Sequence, residues 1–145
     1  MAVATSSWEL AEGRVFDYMT ARIEGSEKGR NAFISDELPP QVYDSWAFAI
    51  TGGDSPATEF VPECRTRTMG AVIKGRYRER SDLQKLEQQV RNMLPVWTGI
   101  ESVQKVAQTG EAIQTRATID PTGTGRLVQF YAVEIPLEVV FNNIP

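Results

Sequence analysis

The chain has 145 residues, 41% of them apolar and 23% charged, which suits one globular domain and disfavours disorder. It has a single cysteine, Cys64, and no histidine, so an intrachain disulfide, a cysteine-based zinc site and every Ser/His or Cys/His nucleophile pair are excluded. The net charge of -4 disfavours non-specific adhesion to DNA, and no apolar run reaches membrane-spanning length.

In chain order, Met1–Ser7 carries neither a basic region nor an apolar stretch, so a cleaved leader is not expected. Ser7 to Glu24 places Trp8, Ala11, Val15, Phe16, Met19 and Ile23 at the three-and-four spacing of a helical stripe. Ser6 and Glu9 have capping-box spacing, and Gly25 is the stop signal. Gly25 to Pro40 reads as a loop with a short strand at Ala32–Ile34. Val42 to Ile50 alternates as a strand, with Trp46, Phe48 and Ile50 on one face and Ala47 and Ala49 on the other.

A long connection, Thr51 to Glu63, follows, containing Gly52-Gly53-Asp54. Loops of this length inside a compact domain are uncommon and often functional. From Thr66 to Arg78 a second alternation puts Met69, Ala71, Ile73 and Tyr77 on one face, and Lys74, Arg76 and Arg78 on the other. Ser81-Asp82 is the expected cap of a second helix reaching Leu94, with Leu83, Leu86, Val90, Met93 and Leu94 inward. Pro95 ends it, because proline disfavours helical geometry in the residue before it.

The last third reads as strands. Ile100–Ala107 and Glu111–Ile119 flank Gln108-Thr109-Gly110, which predicts a hairpin, and Asp120 to Gly125 forms the next turn. From Arg126 to Phe141 nearly every odd position is apolar. Such a strand would span about 50 Å, so it either bends at Pro136 or reaches beyond its own domain. The expected fold class is therefore α+β, one domain over residues 1–145, with a mostly antiparallel sheet and two helices packed on one face.

No motif for catalysis, cofactor or metal emerges. Gly52-Gly53 lacks the Lys-Ser/Thr of a P-loop, and Thr122-Gly123-Thr124-Gly125 precedes a strand, the wrong context for phosphate at a helix N-terminus. Glu134 and Glu138 share the polar face of the last strand, where a solvated surface is a simpler reading than acid/base work. The basic set Arg65, Arg67, Lys74, Arg76, Arg78 and Arg80 is the main charge concentration. It leaves open a nucleic-acid face, a subunit contact, or neutralisation by an acidic strand.

The order and size of these elements, carried by Leu10–Ile23, Trp46–Ile50, Met69–Arg80, Asp82–Leu94 and Arg126–Phe141, resembles the tail terminator (tail completion) proteins of long-tailed bacteriophages. The resemblance implies a virion protein without enzymatic activity or cofactor, assembled as a homo-hexameric ring at the head-proximal end of the tail. Its implied partners are other copies of itself, the tail tube protein and a head-connector or head-closure protein. DNA would pass only as cargo, and no membrane is involved. Head-closure or another minor tail ring is the nearest alternative. Candidate subunit, tube or lumen contacts are Gly52, Gly53, Asp54, Lys74, Arg76, Arg78, Glu134 and Glu138.

Overall fold

A computed structural model describes residues 7–39, 42–52, 66–97, 99–119 and 123–142. Its elements are α1 (Ser7–Arg22), β1 (Ala32–Ile34), β2 (Ser45–Gly52), β3 (Thr66–Tyr77), α2 (Arg80–Met93), β4 (Val103–Gln108), β5 (Ile113–Ile119) and β6 (Val128–Asn142). The strands form one six-stranded sheet in the order β1-β2-β3-β6-β4, with β5 also paired to β6. Among the described strand pairs, only β1–β2 is parallel. The fold is the expected α+β arrangement.

Alternation decides which face is core. Val133, Ile135, Leu137, Val139 and Phe141 of β6 are buried, as are Ala71, Ile73 and Tyr77 of β3 and Trp46, Phe48 and Ile50 of β2. Against them lie Ala11, Val15, Phe16, Met19 and Ile23 from the α1 segment and Leu83, Leu86 and Val90 from α2. The Phe16 and Trp46 rings meet at 5.5 Å, and the Trp46 indole Nε1 donates to Ser26 Oγ at 2.9 Å. A buried tryptophan thus keeps its one polar atom satisfied. Trp97, by contrast, is 62% exposed, so it is no core residue.

Helix α2 comes unusually close to the sheet. A Cβ on Gly75 would sit 2.7 Å from Leu86 Cδ2, 2.9 Å from Tyr77 Cε2 and 3.2 Å from Val133 Cγ1. Gly75 is therefore the gap in the β3 alternation that admits Leu86. The α2 cap differs from expectation. Glu79 occupies the N-cap with extended geometry and makes no side-chain capping bond, so the Ser81 capping box is not used. Because the helix already begins at Arg80, Ser81 lies inside its first turn. Ser6 lies outside the described residues.

The expected hairpin at Gln108-Thr109-Gly110 does not form. Strands β4 and β5 run end to end along the same edge of β6, with Gln108 opposite Leu137 and Ile113 opposite Glu134. Residues 109–112 therefore bulge opposite Ile135 and Pro136. The reason is Pro136: it has no N–H to offer the edge strand, only a carbonyl, which accepts the Thr109 N–H at 3.0 Å. The ladder breaks where one donor is missing and resumes on the far side.

Strand β6 does not end or turn at Pro136. Its pairing with β3 runs from Asn142 to Tyr131, with Val72 opposite Pro136. Residues Val128, Gln129 and Phe130 lie past the end of β3 and pair only with β5. The long strand thus reaches beyond the helix-covered part of the sheet.

Replacing Gly75 with Ala is expected to lower stability by about 1–3 kcal/mol, the usual cost of forcing extra volume into a packed contact. Urea unfolding followed by circular dichroism should show a lower midpoint at unchanged slope.

Candidate assembly surface

The sheet face away from the helices carries the polar residues, and its charges are arranged by strand register. Lys74 and Glu134 are directly opposite on β3 and β6, and Lys74 Nζ lies 3.4 Å from Glu134 Oε1. Glu138 pairs instead with Lys105 Nζ of β4, at 3.6 Å. The two glutamates are four residues apart on one strand, or about 13 Å, and each answers to a different lysine. They do not form a carboxylate pair able to share a proton.

Arg76 is held differently. Its Nη1 donates to the carbonyls of Pro39 and Val42, both at 3.3 Å, and its guanidinium lies 5.5 Å from the Phe130 ring centre and 6.0 Å from that of Tyr43. It therefore pins the connection between β1 and β2 across this face. Arg78 lies just past β3 and binds Asp44, through Nε to Oδ2 at 3.0 Å and Nη2 to Oδ2 at 2.5 Å. The basic stripe anticipated from alternation is real in position, but each of Lys74, Arg76 and Arg78 has a partner within the chain. That weakens the phosphate-binding alternative, which needs uncommitted cations.

Of the anticipated loop residues, Gly52 ends β2 opposite Gly70, with a positive φ of 113° next to a bulge. Gly53, Asp54, Cys64 and the rest of the Thr51–Glu63 connection fall outside the described residues. The strand end beside it is secured by a residue that alternation did not single out. Even-numbered residues of β2 point their backbone groups toward β1: Trp46 N–H donates to Asn31 O, and Phe48 O accepts from Ser35 N–H. Ile50 lies beyond the end of β1. Its N–H donates instead to Glu12 Oε2 of α1, at 2.8 Å. The carboxylate completes a sheet edge where the strand has run out. Glu12 lies one position after the inward-facing Ala11, so its carboxylate sits at the margin of the helix stripe, a signal that sequence periodicity alone leaves ambiguous.

Burial raises the Glu12 pKa above the usual carboxylate range, the Ile50 N–H pulls it down, and the nearby Glu9 pushes it up. Burial, followed by the charges of Asp44 and Asp82, pushes the Tyr77 phenol up as well, so that group stays neutral. Among the described residues no group of three or more acidic or thiol side chains could hold a metal. No helix among them is long and apolar enough to cross a membrane.

The most distinctive feature is the β5–β6 arm. Side chains from Ile113 to Thr118 are all exposed, so this stretch of β5 shows no buried face although it is paired with β6 throughout. Ile113 is 59% exposed, and Leu127, just before β6, is 68% exposed. Other sheet edges are blunted. β1 has three residues, and both outward backbone groups of Ala32 are taken, its N–H by Glu27 O and its carbonyl by Gly29 N–H. β4 carries Lys105 and a bulge between Val103 and Lys105. β5 has seven residues, no proline or lysine, and Ile and Thr side chains, the composition of an edge open to pairing.

Two predictions follow from these contacts. A folded-state pKa raised above the unfolded value means that Glu12 favours folding when protonated, and that this contribution is lost as pH rises through the folded value. Glu12→Gln keeps an acceptor for Ile50 without the charge. Its stability relative to wild type should therefore rise between about pH 4 and 7, measured as the difference in urea midpoints. Arg76→Ala should destabilise the chain more than Lys74→Ala. The lysine belongs to a partly exposed pair worth about 0–1 kcal/mol, whereas truncating Arg76 takes a donor from the Pro39 and Val42 carbonyls, leaving Pro39 only the Val42 N–H, and uncovers two rings. Comparing the two unfolding midpoints checks this.

No protein-family model matches this chain, and no curated protein matches it in sequence.

Proposed function

We propose that this chain is a non-enzymatic, ring-forming structural protein of the tail-terminator type, covering the head-proximal end of a phage tail tube and offering a joining surface to the head. The observation that carries this reading is the β5–β6 arm, in which the β5 side chains from Ile113 to Thr118 are all exposed and two large apolar side chains, Ile113 and Leu127, face solvent. A strand pair of this kind is marginal in water by itself, and it gains its stability when a neighbouring subunit covers it.

Other features support the same reading. The α+β order with an overlong last strand agrees with the family likeness of the sequence. The overall charge of -4, with Lys74, Arg76 and Arg78 each tied to an internal partner, suits a conduit that lets DNA pass without gripping it. The head-closure alternative differs only in the partner met.

The purified chain is expected to form a closed oligomer of six copies, alone or on addition of tail tubes. Mass from light scattering, with negative-stain images of tube ends, measures this. A chain that stays monomeric at high concentration and leaves tube ends bare would overturn the reading.

A further inference from the structure

The face opposite the helices contains a groove of about 440 Å³. Glu37 and Leu38 of the β1–β2 connection form one side, Ile113 and Thr115 of β5 the other, and Lys74 and Glu134 lie in its floor. At the far end of the arm, Arg126 and Leu127 are exposed. We propose that the Arg126–Leu127 tip of one copy docks into this groove on a second copy, with Leu127 against Ile113 and Leu38 and with Arg126 facing Glu37. The proposal rests on the ring-forming reading and names the contact that would build it.

Three observations point to a second copy as the occupant. The tip cannot fill its own groove. Leu127 lies seven residues along the chain from Glu134, about 23 Å when extended, and the pairing of β5 with β6 from Ile113 to Ile119 holds that stretch straight. The charges are complementary. From Gln114 to Val133 the arm carries Arg116 and Arg126 against one carboxylate, Asp120, while Glu134 at its base is paired with Lys74, on a chain whose total is -4. Neither Arg126 nor Glu37 is in an ion pair among the described residues, whereas Glu134 already answers to Lys74. The apolar surfaces also match: Leu127 is a projecting side chain, and the exposed Ile113 is the wall of a recess large enough to receive it.

The tip and the groove are different surfaces of one molecule, so a contact repeated in one direction is head-to-tail and closes into a ring when the rotation per subunit permits, whereas two copies exchanging tips reciprocally would stop at a twofold dimer, which the sedimenting mass distinguishes.

The test is sedimentation velocity on the full chain over a range of concentrations, with circular dichroism and urea midpoints to establish that each variant is folded. Leu127→Asp, Leu127→Ser, Arg126→Glu and Glu37→Arg are each expected to raise the concentration needed for assembly about tenfold or more. All three positions lie on the surface, so folding should be unaffected. The double variant Arg126→Glu/Glu37→Arg should regain assembly by restoring the pair in reverse. Assembly unchanged in both Leu127 variants and in both single charge reversals overturns the docking proposal and leaves the ring reading standing. A wild-type chain that never assembles overturns both.

Discussion

Strand β6 is the constraint on which the other elements depend. Its odd positions, from Val133 to Phe141, are buried without a break and form the floor on which both helices rest. Its two edges hold β3 on one side and β4 followed by β5 on the other. A one-residue slip in either ladder would turn that apolar set to solvent and bring Glu134 and Glu138 into the core. Each buried aliphatic or aromatic side chain contributes about 1.5–3 kcal/mol, so the register is strongly held.

Pro136 sits in the middle of this strand at a position of little harm and some use. Toward β3 the ladder continues through Val72. Toward the other edge the missing N–H breaks one long strand into β4 and β5, separated by the Thr109–Ala112 bulge. The break has a functional consequence in the proposed assembly. It separates β4, which packs Val103 and Val106 into the core, from β5, whose side chains from Ile113 to Thr118 are exposed. This stretch of β5 thereby belongs to the sheet by hydrogen bonding to β6 while burying none of its own side chains, as suits an element whose covering is supplied from outside.

The face opposite the helices shows how charge is managed in such a sheet. Lysines and glutamates alternate across strands and neutralise one another, and Arg76 spends its donors on two carbonyls of the crossing connection. Glu12 performs a similar service at the end of β2 by replacing a missing strand as acceptor. These polar contacts satisfy backbone groups and set positions; the apolar layer supplies most of the stability.

The α+β class, both helices and the inward faces of β2, β3 and β6 were legible in the sequence, because helical and strand periods leave different marks on the spacing of apolar residues. The same alternation separated Lys74 and Arg76 from the core and put Glu134 and Glu138 on one polar face. Which lysine meets which glutamate was not legible, since register between strands far apart in the chain is decided by packing and not by local pattern. The hairpin signal at Gln108-Thr109-Gly110 misled for a related reason. Turn residues report that the chain departs from a strand, but only the partner strand decides whether it reverses or bulges. Here that partner is Pro136, whose absent N–H acts across the sheet on residues some 27 positions earlier. Tertiary structure alone brought the exposed Leu127 tip and the Ile113 groove to opposite ends of one arm. Sequence spacing says that both are apolar, but Leu127 is exposed because β6 outruns β3, and Ile113 because it sits on an edge strand opposite Glu134, on the face away from the helices; both are properties of the assembled sheet.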